Sequence, residues 1–150
     1  IHHNPEAIDY FKFSTVRNPY DRLVSAFYDL RFDIGHRKWA FSMLDFDTFR
    51  DFVLGFQDHP SKDFIHLRSQ FDYLEYNGEI GVDFVAKFEN IEEDLNEVQK
   101  QIGVQILPLN KERPGLYKGG FHYLEEYTQE TKDIVYEIYK KDFETFGYHK

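Results

Sequence analysis

At 150 residues, 19% of them Phe, Trp or Tyr, the chain has the length of one domain and ample material for a core without covalent staples. The absence of cysteine excludes disulfides, thiolate metal sites and cysteine nucleophiles within it. A net charge of −9 argues against an extended nucleic-acid interface but permits a small anion held by a few local cations, and no apolar run approaches the ~20 residues of a membrane span.

The chain opens on Ile1 rather than methionine, close to its first expected strand, so a segment of a longer protein is expected. Residues 1–9, IHHNPEAID, contain an Asn-Pro turn signal and no clear period, as a polar terminus would. From Tyr10 the chain reads YFKFSTVRNPYDRLVSAFYDL. Phe11, Phe13 and Thr15 alternate with Lys12, Ser14 and Val16 at the period of a strand. Arg17 ends that strand. Asn18 is then the expected N-cap, Pro19 the first helical residue and Asp21 a first-turn acid matching the helix dipole. Tyr20, Leu23, Val24, Phe27 and Leu30 recur at helical spacing as the buried stripe, leaving Asp21, Arg22, Ser25 and Asp29 on the other side. A strand entering a helix with arginine at the junction is a natural anion site. Ser25 lies about 9 Å beyond Pro19 along the axis, so an anion touching Arg17 and Ser25 lies along the flank of the helix, not on its tip.

Residues 31–45 have no sustained period, and Arg31, His36, Arg37, Lys38 and Trp39 form a basic patch with one tryptophan. Asp47 is the expected cap of a helix carrying Phe49, Phe52, Val53 and Phe56 on its core face. Asn77-Gly78 marks a turn, and Val82–Phe88 a second strand with Val82, Phe84, Ala86 and Phe88 on one side. Asn90 with Glu93 has the form of a capping box opening a helix whose buried face is Ile91, Leu95, Val98 and Ile102, closed by Gly103. Residues 104–127 form a long irregular stretch rich in Pro and Gly, where Lys118-Gly119-Gly120 would let backbone approach a phosphate. Thr128 caps the last helix, with Ile134, Val135, Ile138 and Tyr139 at core spacing, and Phe143, Phe146 and Tyr148 pack the closing turn.

The phrase VRNPYDRLVSAF resembles the 3′-phosphate-binding motif of the carbohydrate-type sulfotransferases, V-R-[ND]-P-x-x-R-L-[VI]-S-x-[FY]. DFVAKFENIEEDL at Asp83–Leu95 and KDFETFGY at Lys141–Tyr148 resemble the same family in the same order, so the similarity covers nearly the whole chain. It implies an α/β fold of the P-loop-nucleotide-hydrolase-like type, a short parallel sheet flanked by helices, helix-rich and incomplete at its N-terminus. By this resemblance Arg17 and Ser25 grip the 3′-phosphate of 3′-phosphoadenosine 5′-phosphosulfate, the sulfuryl donor. His2 or His3 corresponds to the base that deprotonates the acceptor hydroxyl; a disordered polar terminus is the alternative. Lys111, in an Asn-Lys phrase where Glu112 replaces the family's hydroxyl, and Lys118 with Gly119 are candidates for donor contact, against an ordinary surface loop. His66 and Gln70 match an H-x-x-x-Q phrase that lines the cleft in the family, or form a satisfied polar pair. The family's lysine-bearing 5′-phosphosulfate loop lies upstream of this motif, and no Gly-rich loop opens this sequence.

The implied reaction is sulfuryl transfer to a hydroxyl, on a carbohydrate, with no metal, since the seven histidines show no ligand spacing; the absence of cysteine and the bacterial phrasing of the motif point to a cytoplasmic setting, with the Golgi lumen as the alternative for a eukaryotic chain. A non-catalytic nucleotide-binding or interaction domain derived from a sulfotransferase, and an unrelated helical scaffold, are the alternatives.

Overall fold

The computed structural model describes residues 10–32, 46–56, 64–105 and 122–150; the terminal His2 and His3, the basic patch from His36 to Trp39, and Lys111, Lys118 and Gly119 lie outside them. Strand β1 (Phe13–Val16) leads to helix α1 (Pro19–Phe32), then α2 (Phe49–Phe56), α3 (Gln70–Leu74), β2 (Glu75–Tyr76), β3 (Glu79–Ile80), β4 (Phe84–Lys87), a 3₁₀ turn at Phe88–Asn90, α4 (Ile91–Ile102), a second 3₁₀ turn at Tyr123–Glu126, α5 (Gln129–Ile138) and α6 (Lys140–Phe146). The fold is α/β, helix-rich, with a short parallel sheet. Described residues 10–17 and 73–105 belong to one compact unit, and 18–32, 46–56, 64–72 and 122–150 to another.

In the first unit β1 and β4 pair in parallel, Phe13 opposite Phe84 and Val16 opposite Lys87. Both strands are shorter than their sequence patterns. Val16 and Ala86 are buried, while Phe13 is exposed, so β1 buries the Val16 side and leaves the Phe13 and Thr15 side toward solvent. Helix α4 packs against β4 through Val98, fully buried, with Ile91 and Leu95 half-buried. The expected capping box at its start does not form. The chain enters through the 3₁₀ turn, the Ile91 amide bonds the Phe88 carbonyl, and the Asn90 side chain makes no cap bond. Asp94 reaches back instead and accepts from the Lys87 amide at 2.5 Å. Gly103 ends α4 in the left-handed region at φ 67°, its amide on the Gln99 carbonyl at 3.0 Å. β2 and β3 form a hairpin whose turn residues, Asn77 and Gly78, have φ of 54° and 87°, the two positive values a tight twisted turn requires.

The second unit is an aromatic-rich helical core. The stripe Tyr20, Leu23, Val24, Phe27 and Leu30 of α1 is buried throughout, and shares one core with Phe49, Phe52 and Val53 of α2, Val135 of α5, Tyr139 between α5 and α6, and Phe143 of α6. Rings pack edge-on or tilted: Phe27 lies 5.6 Å from Phe49 and 5.3 Å from Phe52, and Tyr20 lies 4.8 Å from Phe143. The cap of α2 is Thr48, one residue after the expected Asp47. The Thr48 hydroxyl accepts from the Asp51 amide at 3.1 Å, and Asp47 spends its carbonyl on the Arg31 guanidinium. Thr128 caps α5 as expected, in reciprocal bonds with the buried Thr131.

Segment 64–71 is held from three directions. The Arg22 guanidinium donates to the Arg68 carbonyl at 2.6 Å, and the Tyr139 hydroxyl donates to the Leu67 carbonyl. Asp142 of α6, fully buried, accepts from the Ser69 hydroxyl and Phe71 amide on one oxygen and from the Gln70 amide and side chain on the other. It thereby serves as the N-cap of α3 from more than 70 residues away. Replacing Asp142 by Ala strands these buried donors, and Asn at 142 turns an amide NH₂ toward N–H and O–H donors. Both variants are expected to lose about 3 kcal/mol or more in denaturant unfolding, with Asn giving little rescue.

Burial, and then the Asp133 and Glu126 carboxylates respectively, push the hydroxyls of Tyr20 and Tyr28 up from 10.0 to about 12, and burial raises Tyr139 as well. The Tyr28 hydroxyl donates to Glu126 at 2.7 Å and that of Tyr20 to the Lys132 carbonyl at 3.2 Å. The folded chain therefore keeps protons that the unfolded chain releases. Their stabilisation is complete below pH 10.0 and is lost as pH rises through about 12. Near-ultraviolet titration is expected to show these tyrosines ionising late and together with loss of helical circular dichroism; ionisation at the ordinary value without unfolding contradicts the assignment.

Candidate functional site

Arg17 owes its place to the register of β1 on β4. At one end of the pair, the Asp83 carboxylate accepts from the Lys12 amide at 2.7 Å, with the Lys12 ammonium 3.3 Å away, while the Asp83 and Phe84 amides donate to the Lys12 carbonyl at 2.8 and 3.2 Å. The Lys12 amide, followed by its ammonium, holds the Asp83 carboxyl below the usual carboxylate range. At the other end Asp94 takes the Lys87 amide. With Val16 opposite Lys87, the next residues in each strand are Arg17 and Phe88, and the Arg17 guanidinium lies over the Phe88 ring at 4.7 Å from its centroid. Arg17 is half-buried, and Phe88 is 50% exposed. The C-terminal ends of parallel strands are where open α/β sheets receive ligands.

Ser25 stands on α1 and is half-buried, one helical turn from Asp21, Arg22 and Asp29. The cap of α1 is as expected: the Asn18 side chain accepts from the Tyr20 amide at 2.9 Å, and the Asn18 carbonyl accepts from the Arg22 amide at 2.8 Å. Pro19 at the first position has no amide to satisfy. Neither Arg17 nor Ser25 is sealed in the interior.

Three further polar residues have partners within the fold. The Gln70 backbone and side chain are engaged by Asp142, which favours the satisfied-polar reading of that residue. His66, on the same segment, packs its ring 5.3 Å from that of Phe64. Arg31 donates to the Phe46 and Asp47 carbonyls at 2.8 and 2.6 Å, which ties the end of α1 to the start of α2. Sequence reasoning gave Phe88 no site role, placing it with Val82, Phe84 and Ala86 on one side of a strand, and did not single out Asp94. The alternation of Phe84 and Ala86 carries no sign that the strand stops at Lys87.

Among the described residues no group of three or more His, Asp or Glu side chains is placed to hold a metal ion, and no helix is long and apolar enough to cross a membrane. No curated protein and no solved structure matches the chain significantly. The sequence profile of the sulfotransferase family matches residues 2–149. With that match spanning nearly the whole chain, and with an α/β fold whose short parallel strand leads through Arg17 to an Asn18-capped helix carrying Ser25, the chain belongs to the sulfotransferase family.

Proposed function

We propose that this protein transfers a sulfuryl group from 3′-phosphoadenosine 5′-phosphosulfate to a hydroxyl of a carbohydrate, with Arg17 and Ser25 as ligands of the donor's 3′-phosphate. The observation that carries the reading is the motif VRNPYDRLVSAF itself, falling across the end of β1 and the first turns of α1 with neither Arg17 nor Ser25 fully buried. The residue types suit the task. A guanidinium offers a planar fork of donors to phosphate oxygens, and a serine hydroxyl adds a neutral donor.

In the transfer, the acceptor oxygen forms a bond to sulfur while the bond from sulfur to the 5′-phosphate oxygen breaks, leaving adenosine 3′,5′-bisphosphate. The acceptor proton passes to a base, for which His2 or His3 is proposed, an imidazole titrating near neutrality. Lys111, Lys118 and Gly119 are proposed as further donor contacts. Such a reaction is accelerated mainly by positioning and by cations on the departing oxygens. Holding the 3′ end fixes one end of the donor without touching the reacting bond, which is binding energy spent on orientation.

Calorimetry with adenosine 3′,5′-bisphosphate and adenosine 5′-monophosphate tests the reading. The chain is expected to prefer the bisphosphate. Arg17→Ala is expected to weaken its binding by about 1.5–3 kcal/mol, the range for hydrogen bonds to a charged group, and Ser25→Ala by about 1 kcal/mol, with the monophosphate unaffected by either. No preference for the bisphosphate, or unchanged affinity in Arg17→Ala, defeats the assignment.

A further inference from the structure

We infer that Phe88 is a positioning residue for Arg17: its exposed ring restrains the guanidinium before the donor arrives. The inference rests on the proposed role of Arg17 and assigns a second residue to the same task. Three observations lead to it. The ring is 50% exposed, on a turn whose neighbours Glu89 and Asn90 are exposed as well, so core packing does not account for a large apolar side chain there. The guanidinium carbon lies over it at 4.7 Å, within cation–π range. The pairing of Val16 with Lys87, anchored at both ends by Asp83 and Asp94, delivers the two residues side by side at the ends of their strands.

The chemistry of the two contacts is compatible. An aromatic ring engages the face of a guanidinium, whereas a phosphate is held along its edge by N–H groups lying in the plane. An arginine side chain loses rotamer freedom on gripping a ligand; a ring that already restrains the guanidinium removes part of that loss from the binding step.

The test uses the full chain, with adenosine 3′,5′-bisphosphate and adenosine 5′-monophosphate as probes in calorimetry, and thermal unfolding to verify that each variant folds. Phe88→Leu, which keeps apolar bulk and removes the π face, is expected to weaken bisphosphate binding about two- to fivefold and leave the monophosphate unchanged. Phe88→Tyr is expected to keep wild-type affinity. In an Arg17→Ala background, Phe88→Leu is expected to add nothing. The inference is overturned if Phe88→Leu binds the bisphosphate like wild type, if it weakens both nucleotides alike, if Phe88→Tyr loses as much as Phe88→Leu, or if the loss persists in full without Arg17. Unchanged affinity in Arg17→Ala alone defeats the donor assignment instead, so the two failures are told apart.

Discussion

Two aspartates hold one pair of strands in register. Asp83 binds the Lys12 amide where β1 and β4 begin, and Asp94 binds the Lys87 amide where β4 ends. A parallel pair of four residues each has few ladder bonds of its own, and parallel pairing is the weaker kind per residue, so side chains that close its ends matter more than they would in a larger sheet. A slip by one residue would reverse which side of β1 is buried and would no longer bring Arg17 beside Phe88. The placing of Arg17 beside Phe88 is thus a consequence of backbone register.

The helical unit is organised by a different constraint, the need to satisfy polar groups among densely packed rings. Tyrosines supply much of its aromatic surface, and their hydroxyls are directed at specific acceptors: Tyr20 at the Lys132 carbonyl, Tyr127 at the Tyr20 carbonyl, Tyr28 at Glu126 and Tyr139 at the Leu67 carbonyl. Asp142 does the same for the start of α3. A buried carboxylate engaged by donors on both oxygens specifies where that segment docks, which apolar contacts alone do loosely. Arg22, the second arginine of the motif, belongs to this scaffold through its bond to the Arg68 carbonyl.

Family membership and the proposed chemistry draw on the same stretch of sequence, from β1 into α1. The Asn18 cap engages the amide of Tyr20 at the start of α1, and helical spacing puts Ser25 off the buried stripe from Tyr20 to Leu30. Arg17 is placed by the sheet and Ser25 by the helix. The motif therefore links one residue whose position depends on strand pairing with another whose position depends on a cap and an apolar face.

Local chemistry was sufficient for α1 and its cap, for the buried stripe from Tyr20 to Leu30, for the Asn77-Gly78 turn, for the left-handed Gly103 and for the Thr128 cap, because each follows from side chains within a few residues of one another. The motif residues Arg17 and Ser25 were legible for the same reason, as a pattern within one short stretch. What periodicity misassigned was the end of β4 and the cap of α4: alternation predicts where a strand is possible, and only the reach of Asp94 to the Lys87 amide decided where it stopped. Asp142 and its partners, more than 70 residues apart, were beyond any local signal. So was the stacking of Phe88 on Arg17, because it depends on the register of two strands distant in sequence, and register is a property of the folded pair rather than of either strand.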